Sequence, residues 1–160
     1  MDKRNTPISK MSIYTYKFGN KIYYGVDSKL MKPILMIIYK ILDFVFVKVI
    51  AGSDIPAQAR IGNGLYLTHG GRGVVIHPGA KIGDNAVINH QVTIGSDRTG
   101  NAGAPIIGDN VFIGVGAKVL GRLSIGNNVK IGANAVVITD VADNSTAVGI
   151  PAKVLQKKIE

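Results

Sequence analysis

From Ser53 onward the chain repeats a six-residue alternation of hydrophobic and polar positions. A branched aliphatic stands at Ile55, Ile61 and Leu67, then at Ile76, Ile82, Ile88 and Ile94, then at Ile107, Ile113, Val119, Ile125, Ile131 and Val137. Four residues after most of these comes a small apolar residue, as at Ala59, Ala80, Ala86, Val92, Val111, Ala117, Val129 and Ala135. Gly, Asn and Asp fill the intervals, the residues that favour turns. A helix needs apolar spacings of three and four, and a hairpin meander needs turns every eight to twelve residues. Neither produces a strict six, whereas a coiled parallel sheet does. The pattern therefore predicts an all-β solenoid whose inward aliphatics stack in ladders about 4.8 Å apart, the spacing of neighbouring strands. The Gly that directly follows seven of the aliphatics is expected to supply the bend each short strand requires.

Before Ser53 the periodicity is helical. At about 100° per residue, Lys29, Lys32, Lys40 and Asp43 fall on one narrow stripe, and Ile, Leu, Met, Phe and Val occupy the rest of the circumference through Ile50. Such a helix needs burial on most sides, against the solenoid or a neighbouring subunit. The alternative is an amphipathic helix lying on an anionic membrane surface. Spanning is not expected, because Lys40, Asp43 and Lys48 interrupt the segment and each costs about 2.5–3.5 kcal/mol near a bilayer centre.

Composition places the boundary between the two parts. Two of the 20 Gly lie in residues 1–50 and 18 in the remainder, and the basic surplus is six in the first part against three in the second. The expected division is a basic, amphipathic helical segment over 1–50, the repeat over 51–155 and a short tail over 156–160. With no secretory signal at the N-terminus, cytoplasmic residence is the default, with contact at the inner membrane face as the helix's alternative setting. The net charge of +9 invites a nucleic-acid reading. No DNA- or RNA-binding motif accompanies it, so no nucleic acid is expected. The absence of Cys excludes a disulfide scaffold, a Cys-ligated metal and a thiol nucleophile, leaving His, carboxylate, Lys and hydroxyl groups for chemistry.

Candidate chemistry lies where the period fails. The step from Leu67 to Ile76 is nine residues, and the three inserted residues follow His69 in the stretch THGGRGVV. The step from Ile94 to Ile107 is thirteen, which makes SDRTGNAGAP an irregular loop. His69 and His90 each fall two residues after a ladder aliphatic, so they should occupy one edge on adjacent coils. Asp54 precedes His69 by fifteen residues, which is close to one turn if a coil holds three hexads, and should then approach it near a shared edge. His77 is out of phase with the other two, so a three-histidine metal site is not expected. A His is suited to general-base work because an unperturbed imidazole titrates near 6.5, close to working pH. A carboxylate on its other nitrogen would fix the tautomer. A structural role remains the alternative for either His.

The stretches SDIPAQARIGNGLYLTHGGRG, IHPGAKIGDNAVINHQVTIGS, IIGDNVFIGVGAKVLGRLSIGNNVKIGANAVV and AVGIPAKVL resemble the hexapeptide-repeat acyltransferases, and more closely serine acetyltransferase and the related polysaccharide O-acetyltransferases. The resemblance implies a left-handed parallel β-helix, a homotrimer with active sites between subunits, and acetyl-CoA as cosubstrate without a metal. It implies a catalytic His69 paired with Asp54, with His90 as reserve base and substrate neighbour. Ser96, Val115 and Ala133 match the family's pantetheine groove, and Lys130 and Lys153 are candidate partners for the CoA phosphates. Serine acetyltransferases carry an Arg-His pair just before the repeat resumes, where this chain reads Gly103-Ala104-Pro105; Arg98 is the loop's one basic residue and a candidate acceptor contact. That departure favours a small acceptor with a sugar hydroxyl, in surface-polysaccharide biosynthesis, with L-serine as the alternative. A non-catalytic trimeric scaffold is the second alternative.

Overall fold

The computed structural model describes residues 2–96 and 103–155. Helix α1 (Pro7–Gly25) begins at Thr6, whose hydroxyl accepts from the Ser9 amide, and Pro7 occupies its first turn, where a missing N–H costs nothing. Helix α2 (Met31–Leu42) continues without a break into a wider π-type turn over Asp43–Ile50.

The rest of the described chain winds into a three-faced solenoid of two- and three-residue strands. On the first face Ile61, Ile82, Ile107 and Ile125 lie side by side in parallel register. On the second face the ladder is Leu67, Ile88, Ile113, Ile131 and Ala147. Ile76, Ile94, Val119 and Val137 form the third. All but the partly buried Ile61 are shielded from solvent, as are the small apolar residues of the hexads. The six-residue period therefore reports one face each, with three faces to a coil.

The glycines do a different job from the expected one. Residues following the ladder aliphatics, such as Gly62, Gly83, Gly108 and Gly114, do not adopt left-handed backbone. The bend falls two residues later, where Gly64, Asn85, Asn110, Asn128, Asn134 and Asn144 have positive φ. Asn tolerates that region because its short polar side chain bonds locally, and here the amide of Asn85 donates to Asn110 and that of Asn128 to Asn144 on the next coil. Gly114 is needed for close approach. A Cβ there would stand 2.6 Å from the Ala133 nitrogen and 2.7 Å from the Gly132 carbonyl carbon of the next coil. Gly114→Ala is expected to cost about 1–3 kcal/mol, the usual penalty of overpacking, measurable by urea unfolding.

Helix α1 lies across the first coil. Tyr16 donates to the Ala59 carbonyl at 2.8 Å and accepts from the Ile61 amide at 3.0 Å. Asn5 donates to Leu65 O and accepts from Leu67 N, and the Ser9 hydroxyl donates to Leu67 O. At the far end Lys153–Leu155 folds back antiparallel on Thr146–Val148. Helix α2 orients opposite to its apolar demand. It turns Tyr39, Asp43 and Val47 inward, where Tyr39 Oη accepts from the Ala57 amide and the Val47 carbonyl accepts from Ser53 N. Polar bonds to the chain's own backbone decide this orientation, and most of the apolar arc is left outside.

Candidate active site

The corner between the second and third faces carries one residue per coil at the same register position, two after the ladder aliphatic. Read along the solenoid these are His69, His90, Val115 and Ala133. The residues that follow them, Gly70, Gln91, Gly116 and Asn134, all have positive φ; the same turn repeats at His90, Val115 and Ala133, and at His69 it is modified by a second positive φ on the histidine itself. This corner aligns both candidate bases with two of the candidate pantetheine positions. The His69 and His90 rings meet edge to face, 5.0 Å apart at 85°.

His69 sits in a short 3-10 turn, Thr68–Gly71, with a φ of 50° of its own. Its side chain is exposed, and it borders a cleft of about 460 Å³ lined by Thr6, Pro7, Ile8, Gly70 and Arg72. Gly70 lets the turn pass close to α1, since a Cβ there would be 3.1 Å from Ile8. The two histidine-bearing turns are tied by Thr68, whose hydroxyl donates to Asn89 Oδ1 at 2.9 Å, and Asn89 in turn donates to the Ile113 carbonyl. His90 is more enclosed; its Nδ1 is buried without a hydrogen-bond partner among the described residues. That leaves one ring nitrogen of His90 facing protein without a proton partner, beside a solvent-reached His69.

Asp54 does not join the histidine. Its carboxylate pairs with Lys48 at 3.6 Å, both groups about half exposed, and lies beyond ion-pair distance of His69. The backbones are nonetheless neighbours: Ser53 Oγ donates to Gly71 O at 2.6 Å, and Gly73 N donates to Gly52 O. The fifteen-residue spacing thus delivers the two segments to a shared edge, and Lys48 from the end of the helical segment takes the carboxylate. Nearby, burial pushes the Asp43 carboxyl above its ordinary value, and the like charge of Asp54 adds to this against the opposing pull of Lys48.

The other expected residues scatter. Ser96 follows the third-face strand Thr93–Gly95 at its far end, away from the corner that begins that strand. Lys130 and Lys153 lie on the second face, two strands apart, with Thr146–Val148 between them. Arg98 lies outside the described residues. His77 accepts from Gly79 N through Nδ1 at 3.0 Å, a turn-holding role. Among the described residues no group of three or more metal-binding side chains converges. A larger cleft of about 510 Å³, lined by Lys81, Ala104, Arg122 and Asp140, contains neither His69 nor His90.

Two residues escaped the sequence reading. Arg72 is one of the inserted residues after His69 and lines the same cleft; the break in the period was the signal that could have singled it out. Lys118 donates to the carbonyls of Gln91 and Gly116, fastening the His90 turn to the next coil. It stands at an ordinary outward repeat position, where nothing in the sequence marks it.

The chain matches the bacterial transferase hexapeptide (six repeats) family model over residues 104–139. Over 109 residues it is 47% identical to a serine acetyltransferase of Helicobacter pylori, covering 68% of this chain and 63% of that protein. It is 40% identical over 143 residues to a serine acetyltransferase of Staphylococcus xylosus, covering 84% of this chain and 66% of the relative. Among solved structures, the soybean serine acetyltransferase apoenzyme superposes with a TM-score of 0.78 at 33% identity, over 94% of this chain and 58% of that one. The Neisseria gonorrhoeae serine acetyltransferase in complex with serine gives 0.74 at 36% identity, over 90% and 55%. The chain spans between 45% and 66% of the length of these and similar curated relatives. The chain is a hexapeptide-repeat protein whose β-solenoid is homologous to that of serine acetyltransferases.

Proposed function

We propose that this protein transfers an acetyl group from acetyl-CoA to the hydroxyl of a small acceptor, with His69 as general base and L-serine as the acceptor. The observation that carries the reading is the corner on which His69 and His90 meet, in line with Val115 and Ala133 and open to the cleft beside α1. An imidazole nitrogen of His69 takes the hydroxyl proton as the oxygen attacks the thioester carbonyl. The tetrahedral intermediate collapses with cleavage of the C–S bond, and the imidazolium returns the proton to the CoA sulfur. The products are an O-acetyl ester and free CoA.

The relatives are serine acetyltransferases, which supports serine over the sugar hydroxyl suggested by Gly103-Ala104-Pro105. Arg72 supports it too, since it is a cationic residue lining the His69 cleft, where an amino acid's carboxylate needs a cation. Asp54 serves His69 in this reading by leaving Lys48, a rearrangement open to a half-exposed side chain. The exposed His69 fits a site completed by a neighbouring subunit of a homotrimer, for which light scattering should give three times the chain mass.

The test is thiol release from acetyl-CoA with L-serine and with a panel of free and nucleotide-linked sugars. Having no Cys, the protein adds no background to a thiol reagent. Serine turnover is expected, and Arg72→Gln should raise the KM for serine roughly tenfold or more while leaving kcat within a few-fold, as loss of a charge-assisted contact does. Turnover with a sugar and none with serine would overturn the acceptor; turnover with neither, together with no thermal shift from acetyl-CoA, would overturn the enzyme and leave the scaffold.

A further inference from the structure

The outward face of α2 and the π-type turn is a continuous apolar surface. Ile34, Ile37, Ile38, Ile41, Phe44 and Val49 are all exposed, Ile37 and Ile41 at 60% and Phe44 at 61%. Soluble proteins rarely leave a contiguous patch of this kind to water without using it. The face cannot rotate inward, because the opposite side is fixed by the bonds from Ala57 N to Tyr39 Oη and from Ser53 N to Val47 O.

We propose that this face lies on an anionic lipid surface. The charge around it supports that occupant. Lys29 and Lys40 are exposed along and just before the segment, Lys48 is exposed and shared with Asp54, Asp43 is buried at 8% exposure, and the exposed Asp27 stands beside Lys29, so the lysines outnumber the carboxylates at the surface. Two copies meeting through this face would bring a net positive surface against itself, since Asp27 and Asp54 together do not balance Lys29, Lys32, Lys40 and Lys48. A negatively charged headgroup layer meets the lysines while its acyl boundary takes the isoleucines, the arrangement of an interfacial helix. Crossing the bilayer is not the mode, since no helix among the described residues is long and apolar enough to do so. The solenoid would then stand on the membrane through one side of its helical segment, whichever acceptor the corner serves.

The experiment is co-sedimentation of the full chain with phosphatidylglycerol–phosphatidylcholine vesicles and with pure phosphatidylcholine vesicles, at low and high salt. Pelleting with the anionic vesicles, weakened by salt, is expected. Lys29→Gln with Lys40→Gln should weaken it roughly thirtyfold, two lysines' share of the attraction to an anionic surface. Ile37→Glu with Ile41→Glu should abolish it while circular dichroism and Tm remain those of the parent, both positions being solvent-exposed. Protein that stays in the supernatant with both vesicle types overturns the proposal. So does a lipid-free molar mass that falls on Ile37→Glu with Ile41→Glu, because the face is then occupied by a second copy.

Discussion

His69→Asn is expected to lower kcat for acetyl transfer by roughly 10²–10⁴, the range that a positioned general base contributes. Asn is the informative replacement because His69 holds a φ of 50°, a backbone region Asn enters readily, as it does at the other corners of this solenoid. The turn then survives and the proton acceptor goes. The exposed ring makes no hydrogen bond to the described residues that folding would miss, so Tm should change by little, and acetyl-CoA should still raise it. The measurement is steady-state thiol release with a thermal-shift control. If His69→Asn keeps more than a tenth of the parent kcat, the base is elsewhere, and His90, whose ring lies 5.0 Å away, becomes the residue to replace.

The second large effect is on stability. Ile113→Ala is expected to cost about 2–5 kcal/mol, because the side chain is fully enclosed and its removal leaves a cavity as well as lost transfer energy. Its ladder neighbours Ile88 and Ile131 belong to the coils on either side, and the backbone ladder holds those coils at a fixed spacing, so the void has little room to collapse. In a solenoid each coil is supported chiefly by its two neighbours, so the loss falls on both interfaces at once. Ile138→Ala, at a position 54% exposed just past the third-face ladder residue Val137, should change stability by no more than about 0.5 kcal/mol. Urea unfolding of the pair checks the contrast. Equal effects would mean that the inward ladder is not what holds the coils together.

Much of this architecture is written in the spacing of Ile, Leu, Val and Ala. The period of six gives the length of one face, the family resemblance gives three faces to a coil, and the predicted ladder positions pair in register on all three. The breaks in the period also located the His69 turn, and the common phase of His69 and His90 placed their rings together. What the spacing could not carry is side-chain choice among competing partners. Asp54 arrives at the right edge, but Lys48, displaced from it in sequence by a helical end, reaches its carboxylate first. The glycines were legible as special and illegible in kind: close approach of coils and reversal of the chain both favour Gly, and only the backbone angles separate Gly114 from Gly116. Helix α2 misled for a related reason. Its wheel shows which residues are apolar, whereas its orientation follows Tyr39, which accepts from Ala57 N and donates to its helical neighbour Asp43.

The fittings at the two ends of the solenoid bear on how the molecule behaves at high concentration. A stack of parallel strands ends in rows of unsatisfied amides and carbonyls, the template on which another molecule's strands add and on which fibres grow. Asn5, Ser9 and Tyr16 occupy that row on the first coil, and the reversed strand Lys153–Leu155 borders the last second-face strand. Each plug belongs to the chain itself. Strand addition at the first coil is thereby hindered in the folded protein, and fibril growth from that end should require α1 to detach before any coil unwinds.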